Sequence, residues 1–374
     1  MVATLRVVLD QVAAPTEPDL ATASRELALA LAVGAPAGCE VEGIIPGVPA
    51  ARVDELAGEL PGLARLHKVA LARRELSAAL QLGVATGIGA GMIHSPTLFA
   101  PLVKHDRVHD NDQTVVTLWD FRAWEAPDEL SRTAAGWQRA MLKRAVKHAD
   151  ALVVPTHSMA ASLEDLAPRL GDRVRVIAGA APSGFAVPSD EVGRRRILDV
   201  PEGFVLLSGG SAASDGLSLA FSAVVRSGLD LPVLVIDAPE GEEPALAELA
   251  SAAGLPERNL HVRGPLDSAD RAAVFGAAVA LVAPSVLSAF PWRVVEALAL
   301  GVPVIAAQSP VHRETIVDGG LLVEADASAL GSALADALGS TASADRLAVL
   351  AGDRGRVFSW RAAADRVWSL HADL

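Results

Sequence analysis

Short apolar runs rich in Val, Ile and Leu, closed by Gly, Pro or Asp, alternate along this chain with longer Ala, Leu, Arg and Glu runs at helical spacing. That alternation permits little besides parallel sheets joined by crossover helices. In the first half, residues 5–9, 92–94, 115–118, 152–154 and 174–177 read as strands, and 21–33, 63–82 and 131–148 as helices. The run 181–188 carries two prolines and a glycine, interrupts the pattern and reads as an interdomain linker. The pattern then restarts, with strands over 204–207, 233–237, 260–263, 280–282, 302–306 and 321–324 and helices over 217–227, 244–253, 268–277, 294–300 and 329–338. The last run, 360–370, is amphipathic. The fold class expected is α/β, with two doubly wound sheets in tandem and a ligand between them at the carboxyl ends of the strands.

Composition narrows the function classes. A chain of 374 residues is long enough for two cores at roughly 100–200 residues per domain. With 51% hydrophobic and 21% charged residues it reads as folded, not disordered. A net charge of −13 argues against a nucleic-acid binder and against generic attraction to anionic membranes. Cys39 is the single cysteine, so an internal disulfide and a cysteine metal cluster are both excluded. His94, His105, His109, His148, His157, His312 and His371 lack the close pairing that marks a metal site. The first ten residues read as a strand and not as a signal peptide, and the apolar run 78–93 is interrupted by Gln81 and glycines, so no membrane span and a cytoplasmic location are expected.

The stretch from Pro284 to Ala306 carries the chemistry: Pro284-Ser285, a loop through Ser288, Phe290 and Pro291, Glu296 opening a helix that stops at Gly301, then Val302-Pro303-Val304-Ile305-Ala306. It resembles the nucleotide-sugar signature of family 4 glycosyltransferases. His94-Ser95-Pro96-Thr97, Asp150 to Ser158, Gly171 to Ile177 and Glu314 to Val323 resemble further segments of that family. The resemblance implies the GT-B fold: an acceptor-side domain over 1–183, a nucleotide-sugar domain over 184–357, and a helix over 358–374 crossing back to the first. It also implies metal-independent retaining transfer of a hexose from a nucleoside diphosphate sugar in cell-surface glycan or glycolipid assembly, with cations and N–H groups aimed at the departing diphosphate.

Against that pattern several groups are exchanged. The first family glutamate falls on Ser288, and a loop glycine falls on Pro291, which has no N–H to donate. The family's Arg-Lys pair falls on Ser214 and Asp215 in the run after Gly209-Gly210. An acidic group facing the diphosphate in place of a cation costs on the order of 4 kcal/mol at ~4 Å. No lysine follows Lys147, so none in the second half can compensate. A family histidine falls on Trp119, whose indole can donate but cannot exchange a proton. The glycine-rich loop after the first strand is replaced by Ala13 to Asp19, with two prolines and two acids.

Gly209, Gly210, Arg263, Arg293 and Glu296 remain as donor-binding candidates. Each has an ordinary alternative: a tight turn for the glycines, a solvated or interface side chain for the arginines, and helix-dipole stabilisation for Glu296. Trp119, Trp124 and Trp137 with Phe121 suit either sugar stacking or core packing. The resemblance extends to peripheral membrane contact, for which Arg65 to Arg74 on the 63–82 helix is the candidate, against a plain solvated face. The expected function is that of a glycosyltransferase homologue impaired in donor turnover, acting as a non-catalytic partner of an active glycosyltransferase. The alternative is an active transferase with a rebuilt donor site.

Overall fold

A computed structural model describes residues 2–374, which divide into two compact units. The first runs to Ala180 and takes in Ser359–Leu374; the second is Ala181–Phe358.

The sheet of the first unit has seven parallel strands: β1 (Ala3–Val8), β2 (Cys39–Ile45), β3 (Arg65–Lys68), β4 (Met92–Ser95), β5 (Gln113–Thr117), β6 (Ala151–Val154) and β7 (Val174–Val176), in the order β3-β2-β1-β4-β5-β6-β7. Chain direction across the sheet reverses between β1 and β4, where Leu5 lies opposite Met92 and Val7 opposite His94. This is the switch point at which α/β sheets open a crevice. β5 and β6 are buried at every position, as expected of strands covered on both faces.

Two of these strands escape the apolar-run reading. β2 carries Glu40 and Glu42 and a glycine, and β3 is the short, half-exposed edge sequence Arg65-Leu66-His67-Lys68. The helix expected over 63–82 is therefore two elements, β3 and a helix at Arg73–Leu82. The basic patch assigned to one helix face is split accordingly. Arg65 pairs with Glu42 at 3.1 Å on the sheet edge, while Arg73 pairs with Asp10 at 3.0 Å. Gly43 is required where it stands, since a Cβ there would lie 2.7 Å from the side chains of both Leu66 and Leu9.

The helix Trp360–Asp373 belongs to this first unit. Its buried residues, Trp360, Ala363, Ala364, Val367, Trp368 and His371 among them, recur every three or four positions and form one stripe. Trp368 Nε1 donates to Leu31 O at 3.2 Å, docking the stripe on the helix Pro18–Val33.

In the second unit β8 (Phe204–Ser208), β9 (Val233–Ile236), β10 (Leu260–Val262), β11 (Ala278–Ala283), β12 (Val304–Ala307) and β13 (Leu321–Val323) form a parallel sheet in the order β10-β9-β8-β11-β12-β13. Alternate residues of β8 feed two cores. Val205 and Leu207 pack with Phe221, Val224 and Leu330, and Phe204 and Leu206 pack with Phe275, Val294 and Leu298. Among the described residues no helix is long and apolar enough to cross a membrane, and no group of acids, histidines or cysteine is placed to hold a metal ion.

Candidate functional site

At the carboxyl end of β8 the chain turns through Gly209, at φ 127°, and Gly210 into a short turn at Ala213–Asp215. Gly216 then starts the helix Leu217–Ser227. Gly216 adopts a left-handed conformation with Pro284 against the place where a Cβ would sit, so the two loops at this sheet edge are fitted to each other. Such a turn ordinarily offers successive backbone N–H groups to an anion. Here they are engaged within the chain. Gly209 N donates to Ile236 O at 3.0 Å, Gly210 N to Asp215 Oδ2 at 2.8 Å, and Ser211 N to Glu242 Oε2 at 2.6 Å. Two of the three acceptors are carboxylates, which occupy the amides as a bound phosphate would. Asp215, at the expected lysine position, faces this loop, and Ser214 O accepts from Ser285 Oγ at 2.7 Å.

Beside the turn lies a chain of charged groups. Asp237, just past β9, accepts from Ser208 Oγ and from Arg293 Nε, both at 2.7 Å. Arg293 Nη1 reaches Glu296 Oε2 at 3.0 Å, and Glu296 is gripped from the other side by Arg271, whose Nε lies 3.0 and 2.9 Å from its two oxygens. Arg271 also donates to Leu266 O at 2.8 Å and lies over the ring of Phe185. Two arginines thus balance two carboxylates. Burial pushes Asp237 upward, but the adjacent Arg293 charge, with the hydrogen bonds of Arg293 and Ser208, outweighs it and holds the carboxyl below its usual range.

The structure brings Gly209, Gly210, Arg293 and Glu296 to the strand ends of the second unit. Arg263 is committed elsewhere, donating to the carbonyls of Leu198 at 2.5 Å and Asp199 at 2.6 Å. Ser288 is half-buried in the loop before the helix Trp292–Leu300, and Pro291 precedes that helix without a side-chain cap. Sequence reasoning missed Arg271, Asp237 and Glu242. Only Asp237, ending a Val-Leu-Val-Ile run, carried a signal there.

In the first unit a cavity of about 290 Å³ opens at the carboxyl ends of β1, β4 and β5, the switch point of that sheet. Its polar lining includes Asp10, Gln11, Glu17, Arg73, Asp120 and Gln138, and its apolar lining includes Phe99, Trp119 and Trp137. Trp119 is buried and gives its indole N–H to Pro96 O at 2.7 Å, so the residue at the expected histidine position serves as cavity wall. Burial pushes Asp10 up to about 6, against the opposing pull of Arg73. Glu17 is an exposed residue, yet the protein crowded around its carboxyl, and then the charges of Asp120 and Asp19, push it up to about 7. Asp120 is also raised, again by burial.

These two sheets give the α/β architecture of GT-B glycosyltransferase structures. The chain superposes on sucrose-phosphate synthase from Thermosynechococcus elongatus with a TM-score of 0.71 and 19% identity, covering 99% of this chain and 98% of that one. It superposes on Anabaena Alr3699/HepE in complex with UDP and glucose with a TM-score of 0.70 and 17% identity, covering both chains fully (100% each). Residues 210–340 match the family model described as Glycosyl transferases group 1. In sequence the chain is similar to the D-inositol 3-phosphate glycosyltransferase of Nocardioides sp. (strain ATCC BAA-499 / JS614), with 32% identity over 241 residues, 58% of this chain and 52% of the relative. The chain thus spans about half the length of the curated relative it matches.

Proposed function

We propose that this protein is a glycosyltransferase homologue of group 1 type, impaired in donor turnover, that acts as a non-catalytic partner of an active glycosyltransferase in cell-surface glycan or glycolipid assembly. The observation carrying the reading is the engagement of the Gly210 and Ser211 amides by Asp215 and Glu242. A diphosphate arriving there would meet two carboxylates where it needs cations and free N–H groups. Arg293 and Glu296 already satisfy each other with Asp237 and Arg271, so recruiting either for a nucleotide means breaking buried ion pairs.

Calorimetric titration with UDP, GDP and their sugar conjugates tests this, and no saturable heat is expected at millimolar concentration. Sugar transfer by the purified chain alone, abolished by Glu296→Ala, would sink the reading. The alternative is an active retaining hexosyltransferase using an NDP-sugar through Arg293 and Glu296. It draws support from the match of residues 210–340 to a transferase family and from the position of Arg293 close to the β8 turn, on Asp237, which also holds Ser208. Nucleotide binding lost in Arg293→Ala would favour it.

A further inference from the structure

We infer that the solvent-facing stripe of the helix Arg132–His148, in the first unit, is a docking surface for a second copy of this chain, which offers it the acidic helices of its second unit. The inference is independent of what the β8 turn binds.

Arg132, Arg139, Lys143 and Lys147 are all exposed, and their spacing of seven, four and four residues sets them on one face of the helix over about 22 Å, at 1.5 Å per residue. The other face, with Ala135, Met141, Leu142 and Ala145, is buried. No acid occurs between Glu129 and Asp150. Among the described residues no carboxylate lies within ion-pair distance of any of the four cations. Arg139 Nε donates to Ala123 O at 2.8 Å, which fixes that side chain without neutralising it. Arg139 with Lys143, and Lys143 with Lys147, are like charges four residues apart, an arrangement that weakens a helix and that an acidic partner relieves.

The helix narrows the kind of partner. Docking into a lipid surface needs large apolar side chains exposed beside the cations. Those of this helix are buried or half-buried, and its remaining exposed positions are Thr133, Ala134 and Gly136. A net charge of −13 opposes a nucleic acid. The second unit, in contrast, carries a complementary surface. The helices Leu217–Ser227, Glu243–Ala252 and Ala327–Leu338 cover one core of its sheet through Phe221, Leu246 and Leu330. Their exposed charges are Glu243, Glu248 and Asp336 against the single cation Arg226, and Glu240 is exposed just ahead of them. From Asp230 to Glu257 the sequence holds seven acids and no lysine or arginine. Glu240, Glu243 and Glu248 have no cation within ion-pair distance among the described residues. Stripe and acidic layer are different patches of one chain, so the contact between copies is head-to-tail.

Sedimentation velocity of the full chain at about 20 and about 500 mM NaCl tests this, since salt screens exposed charge pairs. The wild-type chain is expected to associate with rising concentration at the lower salt and to be monomeric at the higher. The double variants Lys143→Glu, Lys147→Glu and Glu243→Lys, Glu248→Lys are each expected to lose association at the lower salt. Mixed in equal amounts they are expected to associate again, because the first keeps the acidic layer and the second the basic stripe. The inference is overturned by a wild-type chain that stays monomeric at the lower salt, by association indifferent to either double variant, or by a mixture that stays monomeric. It is also overturned if the stripe instead binds phosphatidylglycerol vesicles, with binding lost in Lys143→Glu, Lys147→Glu and no self-association in their absence.

Discussion

Glu242 reaches from the start of one helix to the loop after another strand and accepts the Ser211 amide at 2.6 Å, closing with a carboxylate the turn that in an α/β sheet is built to receive an anion. Removing this carboxylate and its neighbour is the most direct perturbation of the second unit. The double variant Asp215→Ala, Glu242→Ala frees two N–H groups and deletes two negative charges. UDP affinity is expected to rise at least tenfold, at roughly 1.5–3 kcal/mol for hydrogen bonds to a charged group. Calorimetry beside the wild-type chain reads this, and unchanged binding would remove the carboxylates as the cause.

Arg271 grips Glu296 in the core of the second unit, both being nearly inaccessible to water. Arg271→Leu is expected to destabilise the unit by about 3 kcal/mol, the lower end for breaking a buried pair, because Arg293 still neutralises Glu296. Arg271→Leu combined with Glu296→Leu is expected to recover part of that loss. Denaturant midpoints of the three proteins check the ordering.

Asp10 has its folded-state value raised to about 6 from an ordinary 3.8, so the folded state prefers it protonated. Its favourable contribution is complete below about pH 4 and is lost as pH rises through about 6. The difference corresponds to roughly 3 kcal/mol by pH 7 or above. Asp10→Asn is expected to be the more stable protein near neutral pH. Denaturation of both proteins across about pH 4 to 8 measures the convergence at the acid end.

His371 of the C-terminal helix and His94 of β4 beneath it act in the opposite sense. His371 Nδ1 lies 2.7 Å from Gln113 Oε1, and its Nε2 lies 3.4 Å from His94 Nδ1. Burial lowers His371 to about 4, against the pull of Asp150, and burial, with the neighbouring His371 adding to the effect, also holds His94 well below its usual range. Stability from neutral His371 is present above the ordinary value near 6.5 and is lost as pH falls toward about 4. Amide protection factors of Trp360–Asp373, corrected for the intrinsic pH dependence of exchange, are expected to fall between about pH 6 and 4, and less so in His94→Gln, where the second imidazole is absent.

How far the sequence went depended on how local the signal was. Buried strands such as Val233–Ile236 announce themselves because every position is apolar, and Gly301 ends its helix at φ 68°, where a side chain would be strained. β3 stays hidden because an edge strand carries charges, and β2 beside it because its Glu42 pairs across the sheet with Arg65 of that edge. The helix Thr341–Gly355 was also missed, its sparse apolar positions giving weak periodicity.

Sequence alone determined the two-sheet α/β plan, since it rests on residue type and spacing within a few turns. Only the tertiary structure decided what those residues do. It brought Glu242 onto Ser211, Arg271 onto Glu296, and Asp10 with Gln138 to one cavity, pairings separated by 31, 25 and more than a hundred residues. Such contacts depend on which strand ends meet at a sheet's carboxyl edge, which is set by strand order and crossover handedness and not by any local pattern.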